Sequence, residues 1–434
     1  MNNSQLWEGY KLTDVGIFPE QWEVMPLATM CKAILDCHHS TPVWTETGTI
    51  VIRNQNIRDG SLDFSEPSFT DQRHFAERTR RAVPSFGDLV ITREAPMGQV
   101  CMIPNGLKCC LGQRMVLLRI DCDSADVAYL LYAIQSDLLQ RSIFVAGGTG
   151  STVSNLRIPS LKSLQIPTPP LPEQRSIATA LSDMDELLGG LDRLIAKKRD
   201  LKQSAMQQLL TGKMRLPGFC EGKGYKQTED GLMPEDWDLL ELGKFAEVTK
   251  LAGFEYTNYF NSYRDSGEII VVRGVNITHN VLDFTDVKTI PRDTSNKLPR
   301  SQLKKGDLVF AYVGTIGPIC LIEESDKYHL GPNTARITCK DGLIPDFLLI
   351  YFTSSLLRKE IDGKISVGAQ PSLSMTKIRS FKILKPPLPE QKAIASILSD
   401  MDTEIAAIEQ RRNKTRDLKQ AMMQELLTGR IRLV

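Results

Sequence analysis

The sequence contains no run of about 18 apolar residues, so it predicts no membrane-spanning helix. Its first residues, MNNSQLWEGYKLTD, have neither a basic start nor an apolar core; we therefore expect no secretory signal and predict a cytoplasmic location. Hydrophobic residues make up 41% and charged residues 24% of the 434 residues, as in ordinary globular proteins. A chain of this length predicts about two or three domains, each able to bury a core.

The sequence also lacks the cysteine spacing that is typical of disulfide-bonded or metal-binding proteins. The nine cysteines are an odd number and include no C-x-x-C pair, which indicates reduced thiols. The densest group of metal-ligating residue types comprises Cys31, Cys37, His38 and His39. Because its spacing is not that of a zinc finger or a zinc ribbon, we predict no metal site in this chain.

Recognisable catalytic motifs are absent. The glycine-rich segment GGTGST at Gly147 lacks the Lys and the spacing of a phosphate-binding P-loop. There is no Asn/Asp-Pro-Pro-aromatic motif, no G-x-S-x-G elbow and no H-E-x-x-H helix, and five histidines leave few general bases. These absences favour a binding protein over an enzyme. The net charge of +1 says little about nucleic acid, because affinity depends on Lys and Arg placed locally against phosphates.

The sequence does contain an internal repeat. Residues 169–216 align with residues 386–433 at a constant offset of 217 without a gap, and 27 of the 48 positions are identical. The segments PPLPEQ, LSDMD, RDLKQ and LLTG occur in both copies. A looser echo precedes each copy: GYKLTDVGIFPEQW from Gly9 and GYKQTEDGLMPEDW from Gly224. The chain therefore has the order A-B-A-B, in which the A segments have diverged and the B segments are nearly copies.

This order predicts four regions, which are 1–168, 169–216, 217–385 and 386–434. The first and third are A segments, and the second and fourth are B segments. Because the B segments are almost equal and the A segments agree only in outline, B is interpreted as performing one task twice. The two A segments are interpreted as performing two different tasks.

Each B segment predicts one long helix. The prolines and Glu-Gln of PPLPEQ suit the entry and first turn of a helix, and LLTG ends it with Gly212 or Gly429 as the C-terminal cap. About 40 residues of helix correspond to roughly 60 Å. Apolar residues at steps of four and three predict a coiled-coil seam, which Leu201 and Leu418 are expected to continue. The seam residues are Ile177, Leu181, Met184, Leu188, Leu191 and Ile195 in the first helix and Ile394, Leu398, Met401, Ile405 and Ile408 in the second. A two-fold arrangement of the two A-B units would make this coiled coil antiparallel.

Each A segment predicts an α+β domain, because short β-like runs such as GTIVIRNQNI and GEIIVVRGVNI precede helical stretches. Candidate DNA phosphate contacts are the basic residues before each GDLV: Arg73, Arg78, Arg80, Arg81, Lys297, Arg300, Lys304 and Lys305. Further candidates, with guanidinium or amide groups suited to base edges, are Arg53, Asn54, Gln55, Asn56, Arg93, Arg273 and Asn276. The alternative is a solvated face for the basic residues and a turn for the others.

The A-B-A-B plan resembles the specificity subunit of Type I restriction-modification systems. The resemblance rests on PLPEQ opening each long helix, LLTG closing it, and PEQW or PEDW heading each variable region, and it covers nearly the whole chain. It implies two target-recognition domains separated by two conserved helices that form an antiparallel coiled coil with a pseudo-two-fold repeat. Each domain would read one half of a bipartite, gapped sequence of double-stranded DNA in the major groove, and the helices would set the gap.

The resemblance also implies the partners. Two methyltransferase subunits would dock on the conserved helices and methylate adenine N6 with S-adenosylmethionine. Restriction subunits, which translocate and cut DNA with ATP and Mg²⁺ in defence against foreign DNA, would complete the complex. The chain itself would carry no cofactor and no catalytic residue.

Two alternative interpretations remain at this point. A coiled-coil scaffold with two protein- or ligand-binding lobes would share the A-B-A-B plan. A methyltransferase or nuclease would need a cofactor loop or a carboxylate cluster, and neither is found in the sequence.

Overall fold

The computed structural model describes residues 8–148, 155–222, 224–228, 231–251, 253, 266–278, 280–340, 342–366 and 371–433. They form two compact units. The first unit comprises the described residues up to Arg193 together with those from Glu409 onward, and the second is Leu194–Ile408. Each of the two long helices therefore contributes its residues to both units. Among the described residues, none of the helices combines the length and apolar character that a membrane span requires.

The first unit is built from short strands and helices. Its described strands are Tyr10–Thr13, Gly16–Pro19, Glu23–Pro26, Cys31–Asp36, Thr49–Ile52, Ile57–Arg58, Ser61–Leu62, Phe69–Thr70, Leu89–Thr92, Val100–Met102, Cys109–Leu111, Met115–Ile120 and Gln165–Thr168. Its described helices outside the long ones are Leu27–Met30, Asn54–Asn56, Gln72–Arg78, Val127–Gln135, Asp137–Ala146 and Ile158–Lys162. The first two of these are 3₁₀ turns.

Two sheets organise this unit. The antiparallel sheet has the strand order Val100–Met102, Leu89–Thr92, Met115–Ile120, Cys31–Asp36. Leu89–Thr92 is central, which fits its four consecutive buried residues. The smaller sheet has the order Cys109–Leu111, Thr49–Ile52, Phe69–Thr70, and its first two strands are parallel. Trp22 and Tyr129 anchor the core of the unit.

The second unit repeats this plan. Its described strands are Tyr225–Thr228, Gly231–Pro234, Asp238–Glu241, Ala246–Lys250, Ile269–Val272, Ile277–Thr278, Val281–Leu282, Lys288–Ile290, Gln302–Leu303, Leu308–Ala311, Ile319–Leu321, Tyr328–Leu330, Thr334–Cys339 and Lys382–Lys385. Its described helices outside the long ones are Leu242–Phe245, Gly274–Asn276, Arg292–Asn296, Pro299–Ser301, Pro345–Thr353, Ser355–Lys364 and Met375–Arg379. Ile269–Val272 again pairs in parallel, here with Tyr328–Leu330. The structure confirms the α+β fold class.

The long helices are Leu171–Leu209 and Leu388–Leu426, and each has 39 residues. Both lie inside the predicted B regions. The caps are confirmed, because Gly212 and Gly429 both have φ of +69°. A Cβ on Gly212 would lie 2.6 Å from Pro234, and one on Gly429 would lie 2.6 Å from Pro19, so close packing also requires glycine.

Within each unit the two helices run antiparallel. In the first unit, Lys419 lies 2.6 Å from Asp185, and Arg412 lies 3.3 Å from Asp192. In the second unit, Lys198 lies 2.6 Å from Glu404, and Lys202 lies 2.5 Å from Asp402. In both cases the residue number rises along one helix while it falls along the other. The predicted antiparallel pairing is confirmed.

The seam is partly as predicted. Ile177, Leu181, Ile394 and Leu398 are buried, but they pack into the cores of the globular domains. Leu191, Ile195 and Ile405 are buried, and Met184, Leu188, Met401 and Ile408 are half-buried.

The expectation that Leu201 and Leu418 continue the seam is wrong, because these side chains are 49% and 54% exposed. Heptad spacing instead places Lys198 and Lys202 at the seam of the first helix. Their side chains are largely buried, and their ammonium groups pair with acidic residues of the other helix.

Candidate nucleic-acid interface

A buried carboxylate fixes the start of the first long helix. Glu173 of PLPEQ is 1% exposed and accepts a hydrogen bond from Trp22 Nε1 at 3.1 Å. The Arg432 guanidinium donates to both carboxylate oxygens, at 2.7 Å from Nη2 to Oε2, and these bonds raise the pKa of Arg432. PEQW, PLPEQ and the segment after LLTG therefore meet at one point, which we call the clasp of the first unit.

The second unit has the same clasp with one addition. Glu390, 1% exposed, accepts from Trp237 Nε1 at 2.9 Å and from Arg215 at 2.9 and 2.5 Å. Arg215 also forms a bidentate pair with Asp236, at 2.8 and 3.0 Å, and its bonds to Glu390 raise its pKa. Gln21 holds the place of Asp236 in the first unit. The motifs that carry the family resemblance thus have a structural role within each unit.

The glutamine of PLPEQ ties each long helix to the domain in front of it. Gln174 accepts from the backbone N–H of Asp126 at 2.9 Å and donates to the Pro169 carbonyl. Gln391 accepts from Ile344 N–H at 3.0 Å and donates to the Pro386 and Gly342 carbonyls. Each amide therefore anchors the first turn of a long helix to the domain that precedes it in the sequence.

Two of the predicted base-reading residues are structural. Asn56 is 2% exposed, accepts from the Arg53 backbone N–H at 3.0 Å and donates to the Asp63 carbonyl. Asn276 is 3% exposed and makes the equivalent bond to the Arg273 N–H at 3.2 Å. Both cap a 3₁₀ turn from inside, so the prediction that these two amides read bases is wrong.

Three of the predicted arginines hold the first domain together. Arg78 donates to the carbonyls of Leu111, Ser40 and His38 at 2.8–3.1 Å, and burial lowers its pKa. Arg93, whose side chain is 13% exposed, pairs with Asp36 at 3.0 Å. Arg81 is exposed but donates to the Asp36 carbonyl at 3.0 Å. Because the N–H donors of Arg78 and Arg93 bind groups within the domain, the prediction that these two residues contact DNA is corrected. They stabilise the first domain instead.

The other candidates are accessible to different extents. Arg53 and Arg273 are half-buried and bonded to Ser68 and Asp286 respectively, and Asn54 donates to the Ala95 carbonyl at 2.7 Å. The exposed candidates are Gln55, Arg73, Arg80, Lys297, Arg300, Lys304 and Lys305. Within the described part of the chain their side chains form no ion pair or hydrogen bond, so DNA contact by these residues stays a prediction.

One feature of the first domain does not follow from its sequence. Trp44 is 44% exposed, and the Arg53 guanidinium lies 5.0 Å from its ring centroid. Gln113 and Arg114 lie beside them and line the same open concavity of about 280 Å³. The one signal for it in the sequence is a tryptophan outside the repeated motifs. Because tryptophan side chains are usually buried, this residue by itself does not predict an exposed site.

The described residues contain no group of three or more His, Cys, Asp or Glu placed to hold a metal ion. All nine cysteines are free thiols. Burial raises the pKa of Cys31 to about 12 and raises that of Cys37 as well. High thiol pKa values disfavour the thiolate that zinc requires.

The repeat of fold and clasp agrees with comparisons to known proteins. A sequence model described as Type I restriction modification DNA specificity domain matches residues 19–196 and 234–415. The chain belongs to this family. The family match confirms the resemblance inferred from PLPEQ and LLTG. Each matched range covers most of one predicted recognition domain and much of the long helix that follows it.

Relatives of this specificity-domain family align over most of the chain. The type I restriction enzyme MjaVIII specificity subunit of Methanocaldococcus jannaschii is 28% identical over 425 residues, covering 96% of this chain and 94% of that protein. The EcoKI specificity subunit of Escherichia coli is 23% identical, covering 96% and 90%. A crystal structure of the type I S subunit from M. genitalium matches with a TM-score of 0.58 at 17% identity, covering 93% and 96%. That last likeness shows a shared fold.

Proposed function

We propose that this chain is the DNA-reading subunit of a type I restriction-modification complex, acting in the cytoplasm. Each recognition domain reads one half of a bipartite target in the major groove, and the antiparallel helices set the gap between the halves. The chain carries no catalytic residue of its own and provides the DNA sequence specificity of the complex.

The observation that carries the proposal is the unequal divergence of the repeat. The long-helix segments share 27 of 48 positions, and both units contain the same Trp-Glu-Arg clasp. Two nearly equal helical surfaces suit two identical partner subunits. The two A segments agree only in outline, as two readers of different half-sites would require.

The chemistry is assigned by the same proposal to the partners. Two methyltransferase subunits dock on the helices and methylate adenine N6 with S-adenosylmethionine, and restriction subunits use ATP and Mg²⁺. The family to which the chain belongs supports this division, since its relatives are themselves called specificity subunits.

The test is genome-wide mapping of N6-methyladenine in the host with this gene intact and deleted. Deletion is expected to remove one bipartite, gapped motif and to leave every other methylated motif unchanged. If no motif disappears although tagged chain co-purifies with methyltransferase subunits, the proposal is wrong. Recovery of other proteins instead would favour the scaffold with two binding lobes.

A further inference from the structure

Two loops leave the same edge of the smaller sheet in the first domain. Thr49–Ile52 and Cys109–Leu111 are parallel neighbours, with Ile52 paired to Leu111. The segments that follow them, 53–56 and 112–114, emerge side by side because parallel strands end at the same edge. The second domain repeats this placement with Ile269–Val272 and Tyr328–Leu330, followed by 273–276 and 331–333.

The framework of these loops is the same in both domains. Gly112 N–H donates to the Ile52 carbonyl at 2.7 Å, and Gly331 N–H donates to the Val272 carbonyl at 2.9 Å. A Cβ at either glycine would lie 3.0 Å or less from that carbonyl oxygen. Each pair of loops also contains an Arg-x-x-Asn turn closed by its buried asparagine. The backbone of the loop pair is therefore fixed.

The last residue of the second loop has an unusual backbone in both domains. Arg114 has φ of +67° and Asn333 has φ of +64°. Asparagine tolerates this left-handed region, whereas a long side chain such as that of Arg114 is strained there, and strained residues cluster at functional sites. Both side chains are exposed.

The side chains carried by this framework differ. Asn54 and Gln55 correspond to Gly274 and Val275, and Val275 is 67% exposed. Gln113 and Arg114 correspond to Pro332 and Asn333. Retained backbone with exchanged surface chemistry is the arrangement that two readers of different base sequences require.

The first domain adds an oriented polar group beside an aromatic ring. Gln113 Nε2 donates to the His39 carbonyl at 2.5 Å, which fixes the amide and leaves Oε1 without a partner among the described residues. Arg114 pairs with Glu94 at 2.8 Å and keeps 56% of its side chain exposed. Trp44, under the Arg53 guanidinium, forms the wall of this concavity.

We propose that segments 53–55 and 112–114, together with Trp44, read the base pairs of one half-site, and that segments 273–275 and 331–333 read the other. The proposal rests on the proposed function and names where its specificity lies. Gln113 and Arg114 contact base edges, whereas Asn56 and Asn276 hold the loops in place.

The test uses the chain assembled with its methyltransferase subunits. Duplexes carrying the methylated motif, with each base pair of both half-sites replaced in turn, compete for the wild-type complex, for Gln113→Ala and for the double variant Gln113→Pro/Arg114→Asn. The double variant places the second domain's own loop on the same backbone. Gln72→Ala, an exposed amide in the same domain but outside the loops, is the matched control.

We expect Gln113→Ala to reduce the preference for the correct over the replaced base pair by about 10- to 100-fold. The reduction should be confined to one or two adjacent positions of one half-site. The double variant should change the preferred base there, while the other half-site and the control stay as in the wild type. An unchanged profile, equal loss in both half-sites, or complete loss of binding by both variants in an intact complex would each overturn the inference. If no base-pair replacement in either half-site weakens binding by the wild-type complex, the proposed function itself is wrong.

Discussion

At the scale of single residues, burial separates groups that the sequence presents as equals. Arg80 is exposed, and its side chain has no partner in the described part of the chain. Arg93 belongs to the same candidate set, yet it is bonded to Asp36, Asn155 and the Leu156 carbonyl. Only the first is free to neutralise a DNA phosphate without losing protein contacts.

We therefore expect Arg80→Glu to weaken binding of the assembled complex to its target duplex and to flatten the salt dependence. Each lost phosphate contact reduces the slope of log K against log salt by about one. Arg93→Ala is the matched comparison: it should lower the free energy of unfolding and leave the slope unchanged. An unaltered slope for Arg80→Glu would remove this residue from the phosphate contacts.

The clasp gives a second prediction at this scale. Glu390 and Arg215 are 1% and 2% exposed at their side chains, so removing the carboxylate leaves a buried guanidinium paired with Asp236 alone. We expect Glu390→Ala to lower the free energy of unfolding by about 3 kcal/mol in a urea titration.

The control is Glu268→Ala, which removes an ion pair with Arg292 whose side chains are 62% and 47% exposed. Screening by water limits such a pair to about 0–1 kcal/mol. Equal effects of the two substitutions would show that the clasp contributes no more than a surface ion pair.

At the scale of elements, both long helices follow from local sequence. Prolines and Glu-Gln begin them and a left-handed glycine ends them, and all of these signals lie within a few residues of each boundary. The course of the seam was harder to predict. Lys198 and Lys202 look like surface residues, but ion pairs with the opposite helix place them at the seam and leave Leu201 outside.

If the helices measure the gap, lengthening both should lengthen it. We expect insertion of four helical residues after Lys197 and after Glu404 to widen the gap. The two insertion points lie at the level of the ion pair between Lys198 and Glu404. Four residues add about 6 Å of helix, or between one and two base pairs.

The measurement is methylation mapping with the altered subunit. The same four residues inserted after the exposed Pro217, outside both helices, should leave the gap unchanged. If the gap in the motif does not change when the helices are lengthened, the proposal that the helices set the gap is wrong.

At the scale of the whole molecule, the duplication gives two domains that are structurally independent, one for each half of the proposed bipartite target. Each compact unit has its own core, around Trp22 and Trp237 respectively, and its own clasp. Exchange of one recognition domain should therefore not disturb the core of the other.

We expect replacement of residues 1–168 by another recognition domain of the family to change one half of the methylated motif and to keep the other half. Reciprocal replacement of residues 217–385 should alter the half that the first exchange preserved. The same mapping of N6-methyladenine checks both. A change of both halves by either exchange would contradict modular reading.

The sequence by itself determined the repeat, the α+β class, the long helices with their caps, and the family. These properties depend on periodicity, capping residues and self-similarity, which are local or read directly along the chain. Which polar residues are accessible was decided by tertiary structure. Asn56 and Gln55 are neighbours of similar chemistry, but only packing buries one and exposes the other. Likewise, segments 53–55 and 112–114 meet because a parallel strand pair joins distant parts of the chain, and such non-local pairing leaves no mark at either position alone.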